Sequence, residues 1–279
     1  MRTAAVRVIA TSATVELAGR TGRHAADITP PPGRPFALGD LDVTLLPSGY
    51  IPGASHLLVE CPGGRRTLYV SRLGPEPELA GVTCHTLVLA PGLPALAAAA
   101  RSGNPERRLL SWIRDVLSQG RTPVLLVEIP AMLAVLGPVL HGAGLAAAST
   151  RAVALCMRRL ASHGLAMPSA GRTLLLATLP RGGRPAIRLP RGARVAAVVD
   201  AAGADPKSLK GVDVVHGLAH AAGLEAYERL VVTSGARIVH LGPGTEGLPA
   251  RVDPRAGHVR WIGPERQTDL GCQSPDGGD

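Results

Sequence analysis

The sequence predicts an α/β protein with a β-rich segment interrupted by an inserted α/β unit. Three observations carry this. Short apolar runs between Pro and Gly turns fill residues 1–98. Helix-spaced segments alternate with continuous apolar strands over residues 99–200. A helix, a glycine stop and a final strand then return within residues 201–262, before a polar, Gly-rich tail at 263–279 that reads as disordered.

The runs "LDVTLLP", "HLLVEC", "RTLYVSR" and "HTLVLAP" are each the length of a strand, and "PGGRR" between the second and third is a hairpin signal. An antiparallel layer is the expected result. From Asn104 the period changes: "PERRLLSWIRDVLSQG" sets Leu109, Leu110, Ile113, Val116 and Leu117 at helical spacing and stops at Gly120. "RTPVLLVEI", "RTLLLATLP" and "RVAAVVDA" are apolar on both faces, as buried parallel strands are. Residues 129–148, "IPAMLAVLGPVLHGAGLAAA", are long enough to cross a bilayer and carry no acid, Lys or Arg. Two prolines, His141 and three glycines within that run favour a buried helix pair in a soluble α/β layer, with no membrane partner. "AAGLEAYERLVVTSGARIVHLGPG" reads as a helix, a glycine stop and a strand.

The 279 residues are 46% hydrophobic and 18% charged, which fits a chain that folds around a core and excludes a disordered one. With two Trp, three Tyr and one Phe, that core is built from Ala, Val and Leu. Thirty basic against 21 acidic residues give a net charge of +9, suited to an anionic partner such as DNA or RNA. Only Lys207 and Lys210 are lysines, so the charge is carried by guanidinium groups, which fork onto phosphates. The densest cluster is "RGGRPAIRLPRGAR", where Arg181, Arg184, Arg188, Arg191 and Arg194 form the candidate nucleic-acid surface on a loop or hairpin. Cys61, Cys84, Cys156 and Cys272 show no CxxC pairing, which suggests a reducing compartment without a disulfide framework. The first residues carry charge through their apolar run, unlike a signal peptide, and a cytoplasmic location is expected.

Other motifs are weak. "GPGTEG" at 242–247 has the GxGxxG spacing, but prolines follow where a phosphate-binding helix would start. "GLAMPSAGRT" departs from a P-loop in spacing and in having Arg172 for Lys. His216 and His220 stand four apart, which on a helix places two imidazoles on one face, and His240 could join them as a zinc site.

The order of elements, with "PSGYIPGASHLLVE" from Pro47 to Glu60, resembles the metallo-β-lactamase fold nucleases of the β-CASP group. That group includes ligase-associated DNA exonucleases of DNA repair and RNA 3′-end processing endonucleases. "PSGYIPGASHLLVE" is similar to their "AGHxxGSA" loop, "RRTLYVSRLGPEPE" to the strand before their "SGD" or "TGD" motif, and "HTLVLAPGLP" to the strand before "ESTFGLP". "RLLSWIRDVLSQGRTPVLLVEI" resembles the start of the inserted β-CASP domain, and "LAHAAGLEAYERLVVTSGARIVHLGPG" the closing "SDHAD" helix and the strand before "THG". The resemblance implies a partial metallo-β-lactamase-like β-sandwich with helices, carrying a doubly wound β-CASP-like insertion.

In such enzymes two zinc ions, held by histidines and bridged by an aspartate, generate the attacking hydroxide. By resemblance the ligand positions here hold Tyr50 for the "AGH" His, Arg72 for the bridging Asp, and Ala90 or Pro91 for the "ESTFG" acid. Leu218, or His220 with a small shift, takes the "SDHAD" His, and Pro243 the "THG" His. The family's HxHxDH loop is expected upstream of "VIATSATVELA" and is not found. A phenol is a poor zinc ligand at neutral pH, and a guanidinium has no lone pair to give. The expectation is therefore a pseudo-nuclease with no catalytic residue and no cofactor, binding DNA or RNA or partnering an active nuclease, and prone to homodimerise through an exposed sheet edge. The alternative is a divergent metal-dependent hydrolase in which His216, His220 and His240 hold one zinc ion.

Overall fold

The computed structural model describes residues 8–18, 26–74, 79–89, 104–179, 188–200, 212–218, 224–242, 249 and 259–262. They form two compact units. The first holds β1 (Pro35–Leu38), β2 (Leu41–Pro47), β3 (Ser55–Glu60), β4 (Arg66–Val70), β5 (Thr86–Leu89), β11 (Ile238–Leu241), β12 (Arg260–Ile262) and the helix α5 (Leu224–Thr233). The short helix α1 (Ser12–Ala18) begins in this unit. The second holds α2 (Pro105–Ser118), β6 (Pro123–Val127), α3 (Ala131–Gly142), β7 (Ala147–Ser149), α4 (Arg151–Ser162), β8 (Leu174–Thr178), β9 (Arg194–Asp200) and β10 (Val214–Leu218).

The first unit is a seven-stranded sheet in the order β1-β2-β3-β4-β5-β11-β12. β1 to β4 pair antiparallel, as the turn-punctuated runs predict. β5 joins β4 in parallel, and β11 and β12 continue in parallel, so the expected antiparallel layer is a mixed sheet. Hairpin contacts between neighbouring runs are local and legible, whereas the β4–β5 crossover is set by packing. "PGGRR" makes the β3–β4 hairpin, closed by Cys61 N–H to the Arg65 carbonyl at 2.8 Å, with Gly63 and Gly64 at φ values of 87° and 76° that disfavour any side chain. Alternation then selects the core: Val43 and Leu45, Leu58, Leu68 and Val70, Leu87 and Leu89, Val239 and Leu241 are all buried.

The second unit is a five-stranded, all-parallel sheet in the order β10-β9-β6-β8-β7, a doubly wound arrangement with β6 at its centre. All five residues of β6 are buried, as its unbroken apolar run requires. α2 starts on Asn104, whose side chain accepts from Arg107 N–H at 3.0 Å, has Pro105 in its first turn, and buries Leu109, Ile113 and Val116 along one stripe. Residues 129–148 do not form a helix pair: α3 is followed by β7, since Gly144 in the left-handed region ends the helix and the remaining residues pair with β8. Among the described residues no helix is long and apolar enough to cross a membrane.

Two further expectations change. The inserted unit extends to His220 and not to residue 200, because β10 adds to its sheet beside β9. Cys61 is disulfide-bonded, against the expectation of no disulfides, while Cys84 and Cys156 are buried free thiols. Spacing motifs such as CxxC report only short-range pairs, so a bridge between distant residues leaves no local signature.

Leu87 is fully buried in β5, between the parallel neighbours β4 and β11. Leu87→Ala is expected to lower unfolding free energy by about 2–5 kcal/mol in urea titrations, from reduced transfer energy and the cavity left behind.

Candidate functional site

The loop after β2 and the segment after β4 meet backbone to backbone. Gly74 N–H donates to the Ser48 carbonyl at 2.8 Å, and a Cβ at Gly74 would run into the Gly49 carbonyl, so only glycine permits the approach. Ser48 is fully buried; its N–H donates to the Ala54 carbonyl at 2.9 Å, and its hydroxyl accepts from Tyr50 N–H at 3.2 Å. The far end of this loop is held by α1. Thr11 and Thr14 donate their hydroxyls to the Gly53 carbonyl at 3.0 and 2.8 Å. A Cβ on Gly53 would collide with Thr14 and Thr11, and its φ of 84° makes the same demand.

This framework puts Tyr50 against Arg72. Arg72 Nη1 donates to the Tyr50 hydroxyl at 3.2 Å, and the guanidinium carbon lies 5.6 Å from the ring centroid, within cation–π range. The two positions that the resemblance assigns to a histidine and a bridging aspartate therefore touch. One residue on, Leu73 N–H donates to the hydroxyl of Tyr227 on α5 at 3.0 Å. Tyr227 is fully buried, and burial pushes its phenol up to about 12, against the pull of the Leu73 N–H and the Arg72 charge. A phenol that stays protonated and a permanent cation offer no lone-pair cage for a dication.

Sequence reading missed His56. It is fully buried on β3, with Nδ1 accepting from Ser71 N–H at 3.2 Å and lying 3.2 Å from the Ser71 hydroxyl. A main-chain N–H can only donate, so Nδ1 carries the lone pair and Nε2 carries the proton. Nε2 is buried without a hydrogen-bond partner. The available signal was alternation, which places His56 on the same face as the buried Leu58. Because the one lone pair of the neutral ring, on Nδ1, is already taken by Ser71 N–H, His56 is not a ready metal ligand. Burial lowers its pKa to about 4.

Of the histidine trio, His216 and His240 fall among the described residues. His216 lies on strand β10, not on the helix that the HxxxH reading supposes. His220 lies outside the described residues. His240 is half-buried on β11, where desolvation lowers its pKa, and it belongs to the other unit. Leu218, the gap-free match to a family histidine, is 1% exposed on β10. Ala90, Pro91 and Pro243 lie outside the described residues. Among the described residues, no group of three or more His, Cys, Asp or Glu could hold a metal ion.

Of the arginine cluster, Arg181 and Arg184 lie outside the described residues, and Arg188 and Arg191 are exposed ahead of β9. Arg194 opens β9 and is paired: its Nε donates to Asp213 at 2.8 Å, and the same carboxylate oxygen accepts from Val195 N–H at 2.8 Å. Desolvation alone would raise the Asp213 pKa. The hydrogen bonds from Arg194 and Val195, with the charges of Arg194 and Arg121, outweigh it and hold the carboxyl below its usual range. Arg194 is thereby spent on tying β9 to the start of β10, and Arg188 and Arg191 are the described members left at the surface.

No family model matches the chain, and no curated protein matches it in sequence. Among solved structures it is similar to a crystal structure described as a protein of unknown function from Enterococcus faecalis V583. The TM-score is 0.60 at 12% identity, over 92% of this chain and 74% of that one. At that identity the likeness concerns the fold alone.

The neutral His56 predicts a pH dependence. Its folded pKa of about 4 lies below the ordinary value of 6.5, so the unfolded chain binds more protons between them. Stability is full above about pH 6.5 and falls as pH drops towards 4. The loss is on the order of 3 kcal/mol. His56→Gln should flatten urea-denaturation stability across that window; an unchanged slope would assign the titration to other groups. Tyr227→Phe, which leaves the buried Leu73 N–H without its acceptor, should cost about 1–3 kcal/mol in the same assay.

Proposed function

We propose that this protein is a non-catalytic relative of the metallo-β-lactamase/β-CASP nucleases, acting by binding nucleic acid or by partnering an active nuclease. The observation that carries the reading is the Arg72–Tyr50 contact, which fills two matched ligand positions with a cation and a phenol bonded to each other. A dication there would face a fixed positive charge at close range, and no carboxylate would offset it from the bridging position. No hydrolytic step is therefore assigned to this site.

The placement of α1 supports the same reading. Thr11 and Thr14 grip the Gly53 carbonyl of the loop that carries Tyr50, where a second ligand loop would have to converge. The net charge of +9 and the exposed Arg188 and Arg191 favour a polyanionic partner.

The purified chain is expected to contain no stoichiometric zinc by elemental analysis and to leave labelled DNA and RNA uncut, with or without added Zn²⁺ or Mn²⁺. Chelator-sensitive cleavage would overturn the reading. Fluorescence anisotropy with mixed-sequence oligonucleotides is expected to show binding that weakens with salt. Replacing Arg188 and Arg191 with Gln should lower the slope of log K against log [salt] by about one for each phosphate that is no longer neutralised.

A further inference from the structure

β1 is the outermost described strand of the seven-stranded sheet, bonded to β2 on one side. The Gly39–Asp40 turn closes on the Leu38–Leu41 pair, with Gly39 at φ 63°. In a two-residue hairpin the closing pair exchanges both of its hydrogen bonds, and bonded and non-bonded pairs then alternate. Leu38 and Phe36 thus spend their backbone groups on Leu41 and Val43, while Ala37 turns its N–H and C=O outward. The Gly33 N–H, reaching the Leu45 carbonyl at 2.8 Å, agrees with this parity, since Leu41, Val43 and Leu45 all face β1.

The side chains follow the same alternation. Phe36 and Leu38 lie on the face whose β2 residues, Val43 and Leu45, are buried, yet Leu38 is 40% exposed. The apolar face therefore reaches the edge without being covered there. Arg34 and Asp40, both exposed and of opposite charge, stand three residues to either side of Ala37.

We propose that a second copy of this chain adds to β1 in antiparallel fashion, with the two-fold axis through Ala37. In that register Ala37 exchanges both backbone bonds with its own counterpart, as a symmetric interface requires. Phe36 then faces Leu38 of the second copy, and Arg34 faces its Asp40, each pairing occurring twice. The neighbouring registers centre on Phe36, which sets Ala37 opposite Pro35 with no N–H to give and Arg34 opposite Leu38, and on Leu38, which sets Ala37 opposite Gly39 in the turn. Charge and hydrogen-bond donors thus select one register. Four-residue strands bury well under the roughly 1,200 Å² of a stable interface, so the dimer is a weak one that forms with concentration.

Sedimentation velocity and light scattering on the full chain, up to about 1 mM, test this. The expected result is a monomer passing to a dimer. Arg34→Asp and Asp40→Arg each place like charges opposite one another and should abolish the dimer, while the double variant restores it. Ala37→Pro removes the outward N–H without touching the β1–β2 ladder and should also abolish it. Should that variant fail to fold by circular dichroism, Leu38→Glu tests the same edge. A monomer at every concentration overturns the proposal, as does a dimer that the single charge variants shift by less than about threefold or that the double variant fails to restore.

Discussion

The close approach of Gly74 to Gly49 is the constraint on which the candidate site depends. Two backbones in contact leave no room for a Cβ, and the Ser48 carbonyl accepts the Gly74 N–H to lock them. Once that contact is made, the residue after Gly49 and the residue two before Gly74 have little freedom. Tyr50 and Arg72 are brought side by side, and Leu73 between Arg72 and Gly74 is turned so that its N–H meets Tyr227.

The electrostatics of this corner are consistent without a metal. Arg72 is offered a hydroxyl oxygen and the negative face of an aromatic ring, both of which favour a cation. Tyr227 is neutral and accepts a main-chain hydrogen bond, and the Arg72 charge opposes the burial that keeps its proton in place. His56 sits neutral on the buried face of β3, with one nitrogen satisfied by Ser71 and the other enclosed as an unpaired donor. The lone pairs of the Tyr227 hydroxyl and of His56 Nδ1 accept from main-chain N–H groups.

Much of the fold was open to sequence reading because its signals are local. The alternation in "LDVTLLP" and the unbroken apolar run in "PVLLVEI" fix which faces are buried whatever lies nearby, and Asn104 with Gly120 brackets a helix by capping chemistry alone. His216 shows the converse: its spacing suggests a helix, whereas it lies on β10, paired in parallel with β9, and pairing between strands is not recorded in a four-residue spacing.

The sequence by itself determined the α/β class, the two-part order of the chain, its positive charge and the identity of side chains such as Tyr50, His56 and Arg72, since these depend on composition and short-range pattern. Tertiary structure decided what those side chains meet: Arg72 on Tyr50 across 22 residues, Leu73 on Tyr227 across 154, His56 on Ser71, and β10 within the parallel sheet. Contacts between residues far apart along the chain arise only when the backbone closes the loop between them, and no local propensity records where that closure falls.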